Sequence, residues 1–282
     1  MAGRPGNPGT GGRRPVTIAD ATGRHHAPAP EARILSLVPS LTETLVALGL
    51  GPQIVGRTGY CIHPRKTVKA IKSVGGTKRV NWRKVAAAGA THAVLNIDEN
   101  PKEMAEELDR RGIVPIVTHP IEVADNGPLI RLLGALFGRE AEAERLARAV
   151  EAALAALPAA DTLPPRRVLY LVWKGPWMTV SEDTYISRML ALINWHTVAS
   201  APDRRYPEIE MTEDLLAGTD LVLLSSEPFP FQDNHATLFA GEFPAHAHKV
   251  RLVDGELLAW YGVRAVPGLD YLRALAAAEA GQ

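Results

Sequence analysis

Two stretches of this chain carry nearly the same phrase, "RILSLVPS" at 33–40 and "RVLYLVWK" at 167–174, and that repetition is the strongest constraint on what it can fold into. Each is an arginine followed by a short run of β-branched residues and leucines, which reads as a strand. Between them, "GREAEAERLARAVEAALAALPAA" is dominated by Ala, Leu, Glu and Arg without an interior Pro or Gly, so one long helix is expected from about Arg139 to Leu157. A second pair follows in the same order. "AAAGATHAVLNIDENP" at 86–101 and "LLAGTDLVLLSSEP" at 215–228 both run helix end, glycine, threonine, apolar strand, acid, proline. Laid on each other through Val94 and Val222, they put Glu99 opposite Glu227, each just past the carboxyl end of its strand.

Strands alternate with helices along the first half. "QIVGRT", "IKSVGGT", "HAVLNI" and "VPIVTH" read as strands, and "LTETLVALGLG", "NWRKVAAAGA" and "NPKEMAEELDRRG" as helices. The fold class is therefore α/β: two similar α/β lobes with mainly parallel sheets, bridged by one long helix, with a ligand cleft between them. The expected division is a disordered tail over 1–15, a first lobe over 16–138, the connecting helix over 139–160 and a second lobe over 161–282.

Composition narrows the function. Lys plus Arg and Asp plus Glu both number 31, so no charge excess recruits nucleic acid or an acidic membrane. A single cysteine, Cys61, excludes an intrachain disulfide and a multi-thiolate zinc site. No window approaches the ~18 apolar residues of a membrane span. The first thirty residues are rich in Gly and Pro and hold no hydrophobic export core, so a cytoplasmic protein is expected from the sequence as written, or a periplasmic or cell-surface one if a leader has been removed.

Parallel sheets bind ligands outside the carboxyl ends of their strands, which puts Pro39-Ser40 and Trp173-Lys174 across a cleft from each other. Aromatic residues gather at those ends. Tyr60, Trp173, Trp177, Trp260 and Tyr261 are the expected walls for a flat macrocycle. Arg57, Lys174 and Arg264 are candidates for ligand carboxylates or phosphate, and Glu99 and Glu227 for ligand amides or hydroxyls. His63 and His119, with Glu227, are the candidate set for a protein-built metal site, or one imidazole for the metal of a bound chelate. No P-loop, nucleophile elbow or dinucleotide glycine motif follows the first strand, and Cys61 with His63 lies too close in sequence for a nucleophile and base.

The quoted phrases, "RILSLVPSLTETLVALGLGPQIVGRTGYCIHP", "VGGT" at 74–77, the long helix, "VWKGPWMT" and "WYGVR", together resemble the substrate-binding proteins of cobalamin and iron-chelate ABC importers, the helical-backbone metal receptors. "VTIADATGR" is similar to the opening hairpin of that family's siderophore and haem members. The resemblance covers about residues 16–275. It implies a non-catalytic protein that holds a metal chelate between stiffly joined lobes, with a corrinoid such as cobalamin preferred. Haem or an iron siderophore is the first alternative; a bare divalent ion or a cytoplasmic metal- or corrinoid-handling enzyme is the second. It also implies a permease partner met by a glutamate on each lobe. Arg83 stands at the first-lobe position and Glu213 at the second, so the first is reversed in charge, which with the missing export signal weighs against such docking.

Overall fold

The computed structural model describes residues 17–198, 201 and 203–280; the tail expected over 1–15 lies outside the described residues. An antiparallel hairpin of β1 (Ile18–Ala19) and β2 (His25–His26) precedes two parallel sheets. The first sheet is built from β3 (Ile34–Ser36), β4 (Ile54–Thr58), β5 (Ser73–Gly75), β6 (His92–Asn96) and β7 (Val114–Thr118), in the order β5-β4-β3-β6-β7. The second contains β8 (Arg166–Leu171), β9 (Trp195–Thr197), β10 (Leu221–Ser225) and β11 (Val250–Val253), in the order β11-β10-β8-β9. In both, the chain leaves its first strand in one direction and returns past it to continue in the other. That reversal makes a topological switch point beside β3 and beside β8.

The repeated phrase is explained by burial on two faces. Successive residues of a strand point to opposite sides of the sheet. Ile34 and Val38, like Val168, Tyr170 and Val172, join one apolar cluster shared by both halves of the chain. Leu35 and Leu37 face an outer cluster of the first lobe, and Leu169 and Leu171 face an outer cluster of the second. The leading arginines repeat for a separate reason. Arg33 Nε donates to the carbonyl of Gly89 at 2.7 Å and Arg167 Nε donates to that of Gly218, each closing the end of the helix before the neighbouring strand.

Those contacts also correct the sequence register. Gly89 corresponds to Gly218, and Thr91, whose Oγ1 accepts from Arg33 N, corresponds to Asp220, whose Oδ2 accepts from Arg167 N. Val94 therefore matches Leu223, both in the shared cluster, whereas Val222 faces the outer one. The alignment through Val94 and Val222 is one residue out, and the counterpart of Glu227 is Asp98. A slip of one residue reverses the face of every side chain in a strand, so burial exposes it at once.

The long helix runs over Glu140–Ala155. Immediately before it lies a helix that the sequence reading passed over, Asn126–Phe137, ended by Gly138 in the left-handed conformation at φ 67°. The two pack closely, since a Cβ at Gly134 would stand 2.2 Å from that of Ala143. Leu133, Phe137, Ala147 and Val150 from this pair enter the cluster that also holds Met189, Leu258 and Leu269 from the second half. Each such leucine buried is worth roughly 2 kcal/mol. A continuous core across the junction resists relative motion of the lobes, because opening would expose it to water.

Candidate ligand cleft between the lobes

Loops from the carboxyl ends of the two sheets meet. Beyond β6, Asp98 accepts from Arg205 of the second half, with Nη2 at 3.1 Å from Oδ2, and Arg205 Nη1 also donates to Asp183 at 3.2 Å. Beyond β4, His63 Nε2 lies 3.0 Å from Oε2 of Glu256, which follows β11. Residues 260–264, "WYGVR", form the central seam. Gly262 N donates to Asn126 Oδ1, Val263 N donates to Thr44 Oγ1 at 3.2 Å, and Arg264 donates to both oxygens of Glu43 at 2.7 and 3.0 Å.

The same segment holds the two glutamates that the sequence singled out. Trp260 Nε1 donates to Glu227 Oε2 at 2.8 Å, and the hydroxyl of Tyr261 donates to Glu99 Oε1 at 3.0 Å. Consecutive side chains thus gather one acid from each half. Burial pushes both carboxyls up to about 7, with Glu227 adding to the shift of Glu99, and Glu256 and Asp254 adding to that of Glu227. The folded form therefore favours their protonation. The stability they contribute is full below the ordinary value of 4.5 and is lost as pH rises through about 7. Glu99→Gln/Glu227→Gln is expected to flatten the fall in thermal midpoint over that window and to melt about 4 °C above the parent at alkaline pH. Melting curves across a pH series check this, and parallel slopes in the two proteins would refute it.

The remaining predicted residues separate into groups. Tyr60, 65% exposed beyond β4, and Trp173, 40% exposed beyond β8, present open aromatic faces, one from each half. Trp260 and Tyr261 are only 5% and 6% exposed and act in the seam. Trp177 stacks on Phe231 at 6.2 Å and meets Phe239 edge-on, so it packs in the outer core of the second lobe; Lys174 Nζ sits 4.9 Å over its ring. That arrangement follows from the turn between Trp173 and Met178, closed by Met178 N donating to Trp173 O at 3.1 Å. Arg57 spends its guanidinium on the carbonyls of Val68 and Thr58, both at 2.8 Å. His119 Nε2 lies 3.6 Å from Asp98.

His63, His119 and Glu227 are not assembled as a metal site: among the described residues no three His, Cys, Asp or Glu side chains are grouped to hold an ion. Cys61 is buried, accepts from Thr42 Oγ1 at 2.9 Å, and has its thiol pushed up by burial, which disfavours a thiolate nucleophile. Sequence reasoning missed Glu43, Asp98, Asn126 and Arg205, whereas Tyr206 was among the aromatics it noted near strand ends and turns. Tyr206 is exposed near Asp98 and Glu99. Glu43 and Asp98 lie inside quoted phrases but carry no signal of their own there, and only the meeting of distant loops shows the four.

A family model described as "Periplasmic binding protein" matches residues 34–213, well over half the chain. The chain belongs to that family. This periplasmic binding protein is 28% identical over 276 residues to the uncharacterized ABC transporter substrate-binding lipoprotein YvrC of Bacillus subtilis, covering 92% of this chain and 84% of that one. It is 23% identical over 207 residues to a vitamin B12-binding protein of Vibrio vulnificus, covering 73% and 75%. Its fold matches the periplasmic vitamin B12 binding protein BtuF of Vibrio cholerae at a TM-score of 0.77 with 18% identity, over 90% of this chain and 99% of that one. It matches the periplasmic heme-binding protein RhuT of Roseiflexus at 0.75 with 23% identity, over 89% and 100%.

Membership corrects the expected location. The cytoplasmic placement is overturned, since the family and these relatives are periplasmic proteins or lipoproteins of ABC importers. The matched family is one of binding proteins. No helix among the described residues is long and apolar enough to cross a membrane.

Proposed function

We propose that this periplasmic binding protein captures a corrinoid in the interlobe cleft and passes it, chemically unchanged, to an ABC transporter permease. The observation that carries the reading is the meeting of carboxyl-end loops from both sheets, where Tyr60 and Trp173 are exposed and Glu99 and Glu227 are held by consecutive residues of the seam. The vitamin B12-binding relatives support that ligand. Haem or an iron chelate is the second reading, favoured by the fold shared with the heme-binding protein. The functional lobes are taken as 16–138 and 161–282, joined over 139–160. A permease would meet Glu213 at the head of the Glu213–Ala217 helix, 2.8 Å from His246 Nε2, and on the first lobe would need an acid opposite exposed Arg83 of the Trp82–Ala88 helix rather than a base.

Aromatic planes gain affinity by covering macrocycle faces with few rotors to freeze. Tyr60→Ala/Trp173→Ala is therefore expected to weaken cobalamin binding by tenfold or more, roughly 1.4 kcal/mol or above, at the cost of the edge contact between Trp173 and Phe229 and a small fall in the melting midpoint. Equilibrium dialysis measures the effect; an unaltered dissociation constant would remove these rings from the ligand site.

A further inference from the structure

The charges around the cleft are unevenly engaged. Arg264 is committed to Glu43 and lies 3.4 Å from Glu256, Arg205 is committed to Asp98 and Asp183, and Arg57 to backbone carbonyls. Lys78 Nζ donates to the carbonyl of Asp98 at 2.8 Å. Lys174 lies over Trp177. The acids differ: Glu99 accepts through Oε1 from Tyr261 and Glu227 through Oε2 from Trp260, and no described bond occupies the other oxygen of either. Their donors are consecutive residues of the seam, and Glu227 lies near enough to Glu99 for its charge to push the Glu99 carboxyl further up.

We propose that the second oxygens of Glu99 and Glu227, one from each half of the chain, read the rim of the ligand, and that they select a chelate edged with uncharged amides over one edged with carboxylates. The inference rests on the cleft being a chelate site. A primary amide serves a carboxyl group in either protonation state, donating N–H to a carboxylate or accepting from a carboxylic acid. A ligand carboxylate only accepts, so it is tolerated by the protonated acids and repelled once they ionise. The committed arginines leave little cation to offset that repulsion.

Selectivity should therefore sharpen with pH. The groups facing Glu99 are Tyr261, Glu227, Lys78 and Asp98; those facing Glu227 are Trp260, Glu256, Asp254 and Arg264. His63 on Glu256 and His119 near Asp98 are the imidazoles nearby. Replacing both acids with glutamine keeps size and amide bonding while leaving all these neighbours in place.

The test compares cobinamide with cobyrinic acid, which share the macrocycle but carry amides and carboxylates respectively, by calorimetric titration at mildly acidic and mildly alkaline pH. The parent is expected to prefer cobinamide by about tenfold or more at the higher pH and by clearly less at the lower. In Glu99→Gln/Glu227→Gln the ratio of the two affinities should no longer change with pH, whatever the variant's absolute affinity for cobinamide. Equal affinity for the two corrinoids, a pH-dependent preference that survives in the glutamine variant, or binding of haem alone would overturn this inference and leave the chelate reading standing. If cobinamide, cobyrinic acid and haem all fail to bind, both fall.

Discussion

Gly262→Val is expected to lower the thermal midpoint by about 8 °C, corresponding to about 4 kcal/mol in a chain of this size. Gly262 lies at φ 81°, in the left-handed region that a β-branched residue avoids, and a Cβ there would stand 2.0 Å from Thr44 Oγ1. Neither penalty relaxes easily. The Gly262 N–H is bonded to Asn126, and Thr44 Oγ1 donates to the carbonyl of Ser40 while accepting from Val263 N. Combining Gly262→Ala with Thr44→Ala should recover the part due to overlap and leave the part due to backbone strain. Circular dichroism melting of the single and double variants measures both parts, and a midpoint within about 2 °C of the parent for Gly262→Val would contradict the tight seam.

Arg264→Ala is the second large effect, about 3 kcal/mol or a fall of about 6 °C. The guanidinium is mostly buried, holds Glu43 in two hydrogen bonds, approaches Glu256 and lies 5.0 Å over the Trp260 ring. Removing it leaves Glu43 and Glu256, acids from the two halves, without the guanidinium they share, and only Glu256 keeps a second partner in His63. Most of the cost is that unpaired charge rather than the worth of the pair, so Arg264→Met with Glu43→Met is expected to recover more than half of the loss. A double-mutant cycle by chemical denaturation separates the terms. Simple additivity would show that the two side chains do not act together.

The strands were legible because both faces of a parallel sheet are buried, and that demand writes itself locally as "ILSLV" and "VLYLV". The long helix was legible because its composition lacks any breaker. Asn126–Phe137 was missed although its leucines have helical spacing and Gly138 ends it, because Gly127-Pro128 at its start and Gly134 within it read locally as breakers. The site was legible less completely. Glu99 and Glu227 stand out as acids just beyond strand ends, and that position alone placed them at the cleft. Whether an aromatic side chain lines a ligand or seals a junction is not a local property. Trp260 and Trp173 read alike in sequence, yet Trp260 is held by Glu227 while Gly262 and Val263 just beyond it dock on Asn126 and Thr44, residues more than a hundred positions away. Arg57 likewise reads as a ligand cation until the Val68 carbonyl comes within reach of it.

The central claim, that the cleft holds an intact metal chelate, is tested most directly by titrating the purified protein with cobalamin, haem and a ferric siderophore while recording heat and the visible spectrum. The account predicts one-to-one binding of cobalamin at micromolar affinity or tighter, about −8 kcal/mol or better, with a shifted spectrum and recovery of the same compound on unfolding. Failure of all three ligands to bind, or release of an altered product, would contradict it.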